Sequence, residues 1–205
     1  MAVPPSKATL QLPVDRLALA GLVWLGSVWL GAPALTWLDS SELTAAGVVL
    51  GVPHAPGHPL YVLLAHLASL IPVGTAAFRV ALLSGLFAAA AAWFTADLVD
   101  ELSWDKGSRT NRTVAGLSVA LILCASTAIW QQAVRAEVYT LHLALMLWAT
   151  RDALRWRRDT SERRHARLAT VALIMGLGCA NHHLRVNCER GHCASPVINS
   201  NGGRR

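Results

Sequence analysis

The sequence predicts an all-α membrane protein with about five transmembrane helices and short interfacial or re-entrant helices in its first outer loop. Three observations carry that expectation. Of 205 residues, 54% are hydrophobic and 15% charged, and the mean hydropathy is +0.41. That is too apolar for an ordinary soluble domain. Apolar runs recur along the chain, some near the ~20 residues a span requires. Charged residues gather between those runs. The net charge of +6 would suit nucleic acid, but the Lys and Arg residues lie in links between apolar runs, where they act as a topology signal. No nucleic-acid partner is expected. Cys124 and Cys179 lie inside apolar runs, and Cys188 and Cys193 in a polar tail, so no disulfide framework is expected.

Residues 1–16 are polar and contain Lys7 and Arg16, and they read as a disordered cytoplasmic lead. Leu17 to Leu38 is uncharged over 22 residues and reads as the first span. Leu43–Val52 and Leu60–Ile71 are shorter, which fits re-entrant pieces. Val80–Val99, Ala-rich with Ser84 and Gly85, is the expected second span. A mixed-charge loop follows. Val114–Trp130 is the third span, and Gln131 to Tyr139 a short polar link. The fourth runs from Val138 to Thr150, with Arg151 and Arg155 expected to snorkel from its far end. Leu168–Ala180 begins the fifth and leads into Asn181-His182-His183. The apolar pattern stops at Leu184, so 17–184 reads as one membrane domain. Residues 185–205 form an atypical polar tail, expected to be a truncated or frame-shifted end. His182-His183 with Cys188, His192 and Cys193 is not a standard zinc spacing.

Orientation follows from the positive-inside rule. Lys and Arg number two in the lead, three after span two and seven after span four, against one each (Arg79 and Arg135) in the alternate links. The bias of twelve to two places the N-terminus and both basic loops in the cytoplasm. Asp39, Glu42, His54, His58, Arg135, Glu137, Tyr139, His182 and His183 then emerge from three separate connections on the outer face. Ionisable groups at a membrane boundary are costly and usually functional. Asp39 and Glu42 also have capping-box spacing, a structural use compatible with a catalytic one. Pro53, Pro56, Gly57 and Pro59 break any regular helix and fix a turn carrying His54 and His58.

Four motifs then resemble one family. Asp39-Ser40-Ser41-Glu42 is similar to its D-S-G-E. His54-Ala55-Pro56-Gly57-His58-Pro59-Leu60 is similar to its H-P-P-G-Y-P-L. Glu137-Val138-Tyr139-Thr140-Leu141, with Trp130 ahead of it, matches E-V-Y-T-L. Gly176-Leu177 before Asn181-His182-His183 resembles G-L…N-H-H. The family is a bacterial multi-pass group long labelled a domain of unknown function. It is related to the eukaryotic transmembrane O-mannosyltransferase of the GT-C glycosyltransferase superfamily. Ser41 stands where that pattern has Gly, and Ala55 and His58 where it has Pro and Tyr.

The resemblance implies the N-terminal part of a GT-C-like fold. It implies transfer of a sugar from a polyprenyl-phosphate donor to a hydroxyl of a protein or glycan acceptor, at the outer face of the plasma (inner) membrane, or of the endoplasmic reticulum membrane in a eukaryote. Such chemistry needs a base for the acceptor hydroxyl and positive groups for the departing phosphate. Asp39, partly buried beside Glu42, is the expected base. Glu42 could instead hold a divalent cation with Asp39, and no other cofactor is implied. His54, His58 and Arg135 are the expected phosphate-binding groups, and Glu137, Tyr139, His182 and His183 position substrate. The alternatives are a non-catalytic remnant lacking later helices, or a transporter or channel subunit using the mid-span polar groups His66, Ser84 and His142.

Overall fold

The structure, a computed structural model, describes residues 13–31, 39–55, 57–103 and 108–181. They form helices with no strand among them. The organising helix is α4, Ala76–Leu102. Its start is fixed by Thr75, whose hydroxyl accepts the Phe78 N–H at 3.2 Å. Helices α1 (Val14–Leu30), α5 (Arg109–Ala125), α6 (Thr127–Ala133) and α7 (Tyr139–Arg158) all pack on α4. Helix α8 (Arg164–Asn181) packs on α7. Helices α2 (Asp39–Val49) and α3 (Pro59–Ser69) pair with each other and lean on α4, and α3 also reaches α8.

Close approach depends on small residues. Ala88, Ala92 and Ala96 of α4 are buried against Leu19 and Val23 of α1 and Ala120 and Cys124 of α5. A Cβ on Gly116 would lie 2.8 Å from the Ala96 carbonyl oxygen, and one on Gly47 would lie 2.7 Å from Ala65 Cβ. Helices that cannot use the hydrophobic effect against lipid rely on such backbone proximity. A second core joins Leu43, Tyr61, Val80, Leu141, Leu145 and Ile174 from α2, α3, α4, α7 and α8. Outside these cores, Leu22, Leu25, Trp29, Ile122 and Leu173 are exposed, an apolar surface that water would penalise.

Several expected boundaries shift. Among the described residues, α4 alone is long and apolar enough to cross a membrane. The expected third span is two helices, α5 and α6, bent by 72°. The break is Ser126, extended at φ −65°, ψ 137°, whose hydroxyl donates to Leu123 O at 2.6 Å and caps α6 at Ile129 N–H, 3.4 Å away. Helix α1 has 17 residues, and the end of the expected first span lies outside the described residues. Gln131 to Ala133 belong to α6, so the polar link shrinks to 134–138. Short helices stand at both expected places, α2 beginning earlier at Asp39 and ending at Val49, and α3 running from Pro59 to Ser69. Helix α2 ends in a Schellman arrangement, with Leu50 left-handed at φ 53° and Gly51 N–H donating to Ala46 O at 2.9 Å.

The fourth expected segment continues as helix to Arg158, and its Arg151 and Arg155 meet carboxylates of α4. Arg151 reaches Asp97 of α4 at 2.8 Å, and Arg155 reaches Glu101 at 2.6 Å. Arg16 of α1 also pairs with Asp97 and, at 2.9 Å, with Asp100. The buried Asp97 is thus shared by cations from two helices, which is how a buried carboxylate stays tolerable. These partners lie 54 or more positions apart, beyond the reach of any local sequence pattern.

Gly116→Ala is expected to lower stability by about 1–3 kcal/mol, because a backbone carbonyl must move. Gly176→Ala, with nothing within 4 Å of its Cβ, is expected to be neutral or mildly stabilising. Denaturant titration in detergent compares the two.

Candidate functional site

The site is built around the link 134–138 between α6 and α7. This link packs between helices, so its backbone polar groups need internal partners. Ser40 of α2, buried, donates to Ala136 O at 2.9 Å. Ser84 of α4, fully buried, accepts the Glu137 N–H at 3.0 Å and donates to Glu137 O at 3.2 Å. A serine has one proton to give, so the buried Tyr61 hydroxyl of α3, 3.0 Å away, donates to Ser84. Asn181 at the end of α8 donates its side-chain amide to Val138 O at 3.0 Å. Three helices thereby hold three successive residues.

Beside this link lies the first expected cluster. Asp39 and Glu42 occupy the first turn of α2, where the helix dipole favours negative charge. Glu42 does not close a capping box. Both its oxygens face His54, one accepting the backbone N–H at 2.6 Å, the other 2.9 Å from Nδ1. The other ring nitrogen, Nε2, lies 3.9 Å from Asp39. Past His54 the chain enters α3 through Gly57 at φ 91° and His58 at φ 43°. His58, left-handed at the N-cap of α3 with Pro59 next, is held by burial and by its ring. Its Nδ1 lies 2.7 Å from Asn181 O, and since a carbonyl only accepts, that nitrogen carries a proton. The two imidazoles meet edge-on, 5.6 Å apart at 71°.

The charges fall into two environments. The hydrogen bond from His54 holds the Glu42 carboxyl below its ordinary 4.5, and the same bond raises His54 above its ordinary 6.5. Glu137 is buried, and burial raises its carboxyl, an effect opposed by Arg135, whose Nε lies 3.1 Å away. Asp39 is exposed and not partly buried as expected, because it sits on the open rim of α2. Tyr139 opens α7 and is exposed, and His182 and His183 lie outside the described residues. So do His192, Cys188 and Cys193. Asp39, Glu42 and His54 each offer a ligand atom within 4.8 Å of the others. Two carboxylates and an imidazole would suit a divalent cation such as Mn²⁺ or Zn²⁺.

Residues 39–189 match the family described as Protein O-mannosyl-transferase TMEM260 N-terminal domain. The chain belongs to that family. The matched range begins at Asp39, so the acidic pair opens it, and it runs past Leu184 into the first residues of the polar tail. The mouse protein named Protein O-mannosyl-transferase TMEM260 is 36% identical over 147 residues. That alignment covers 71% of this chain and 20% of the mouse protein, so the chain spans about a fifth of its relative. No solved structure matches the chain.

In this TMEM260-family chain, the expected residues of the first and second connections come together. Missing from the expectation as site residues were Ser40, Ser84, Tyr61 and Asn181. Ser84 and Asn181 had a signal, a polar residue at or beside an apolar run, which lipid makes expensive unless it is bonded inside.

The pH behaviour follows from the two shifts. A raised His54 contributes stability below 6.5 that is lost as pH rises through its folded value. A lowered Glu42 contributes above 4.5 and is lost as pH falls through its own. The pair is therefore complete between about 4.5 and 6.5. In Glu42→Gln the His54 midpoint, read by NMR of labelled imidazole, is expected to fall towards 6.5.

Proposed function

We propose that this TMEM260-family chain carries the acceptor-activating part of a membrane glycosyltransferase that draws on a polyprenyl-phosphate sugar at the outer face. The observation that supports it best is the convergence of Asp39, Glu42 and His54 beside the Arg135–Glu137 ion pair, from connections 81 or more positions apart. The relative's name points to mannose and to a protein hydroxyl as acceptor. The five-span arrangement belongs to the same reading. Helix α4 and the bent α5–α6 pair would cross, and α1, α7 and α8 would complete the bundle.

The acceptor oxygen attacks the anomeric carbon as the bond from that carbon to the phosphate oxygen breaks. The hydroxyl proton goes to Asp39, the exposed carboxylate, and the electron pair leaves on the phosphate. Glu42 favours the charged form of His54, and His54 and Arg135 would stabilise the negative charge of the leaving phosphate. His58, buried, fixes the edge of the His54 ring. Glu137 holds Arg135 in place, and Tyr139 on the exposed rim meets sugar or acceptor. If a divalent cation is bound, Asp39, Glu42 and His54 hold it, and it supplies charge to the phosphate.

Asp39→Asn is expected to reduce transfer of labelled sugar by membranes carrying the chain by about 10²–10⁴-fold, the usual worth of a general base. Unchanged transfer removes Asp39 from this role. Cysteines at the exposed Val52 and Tyr139 are expected to react with an impermeant maleimide from the same, outer side. Labelling from opposite sides defeats the shared-face arrangement.

A further inference from the structure

The opposite end of the bundle has its own charged cleft. Ser84 and Asp97 lie thirteen positions apart on α4, about 20 Å along the axis. Beyond Asp97, a cleft of about 660 Å³ is lined by Arg155, Arg158, Arg163 and Arg167 with Glu101 and Asp159. Four guanidiniums against two carboxylates leave +2. A second cleft at this end, about 790 Å³, sets Arg16 and Arg109 against Asp15 and Asp100 and is balanced. The first is therefore the one that favours an anion.

Its cations differ in what they already hold. Arg155 and Arg158 both reach the Glu101 carboxylate, at 2.6 and 3.3 Å. Arg167 reaches Asp159 at 2.7 Å. Glu101 is thus flanked by two guanidiniums, of which Arg155 also lies 3.8 Å from Asp97. Arg163 is exposed, and no carboxylate among the described residues pairs with it. Next to the lining residues in sequence stand the exposed apolar Leu102 and Leu168. An occupant therefore meets unmatched positive charge where apolar surface begins.

We infer that this cleft binds the phosphate headgroup of an anionic membrane lipid. Guanidiniums present paired N–H donors that suit a phosphodiester, and basic pockets between helices at the membrane surface favour anionic headgroups. The neighbouring leucines favour a headgroup with acyl chains over free phosphate. The inference needs the chain to sit in a membrane but is independent of any sugar transfer.

Native mass spectrometry of the protein in detergent micelles doped with phosphatidylglycerol or phosphatidylcholine tests it. Phosphatidylglycerol is expected to be retained several-fold more strongly. Arg163→Gln is expected to weaken that retention about fivefold, and Arg163→Lys to weaken it less. Arg109→Gln, which removes the same charge from the balanced cleft, is expected to leave it unchanged. Circular dichroism should show both Gln variants folded, since the Arg163 side chain has no carboxylate to lose. Equal retention of the two lipids overturns the inference, as does an equal loss in Arg109→Gln. Displacement of phosphatidylglycerol by millimolar inorganic phosphate overturns the lipid assignment in favour of a free-anion site.

Discussion

A peptide link enclosed by helices has no water for its N–H and C=O groups, so side chains must take them. Residues 136–138 are in that position. Ser40, Ser84 and Asn181 supply the partners, and Tyr61 completes the bonding of Ser84. Each bond is worth only about 1 kcal/mol net. Leaving any one of them unmade costs more, and that asymmetry fixes where α2, α4 and α8 stand relative to the link. The Asp39–Glu42–His54 cluster inherits its place from this arrangement, because Ser40 lies inside the same helical turn as both acids.

Strain is concentrated in the same region. Among the described residues two that are not glycine, Leu50 and His58, are left-handed, and both belong to the return from α2 to α3. Such a conformation costs about 1–2 kcal/mol per residue. A Schellman bond offsets it at Leu50, and the Asn181 carbonyl with burial offsets it at His58. The result is that His54 is delivered back onto Glu42, twelve positions earlier in the chain. The bundle therefore has one end in which polar groups are spent on positioning a turn. At the other end they neutralise buried charge, with Asp97 shared between Arg16 and Arg151.

The all-α class was legible because apolar runs and charged links alternate, and lipid or a helical core demands that pattern. The acidic pair, the histidine turn and the Glu137 motif were legible as motifs with order and spacing. The break at Ser126 was not, because a serine within an apolar run reads as tolerated until its hydroxyl is seen to bond on both sides. Nor were the partners of Arg151 and Arg155. Seven arginines after an apolar run look like a topology signal, and only the docking of α7 on α4 shows which carboxylates they meet.

The sequence by itself determined the helical class, the membership of a glycosyltransferase-related family and the residues that bear charge. The class follows from composition and the order of apolar runs, and the family from the resemblance of four motifs. The tertiary structure decided which charges become partners, that Asp39 stays exposed while Glu137 is buried, and that Glu42 serves His54 and not its own helix end. Burial and pairing between distant positions depend on how helices pack, and packing is set by the small residues of α4 acting together.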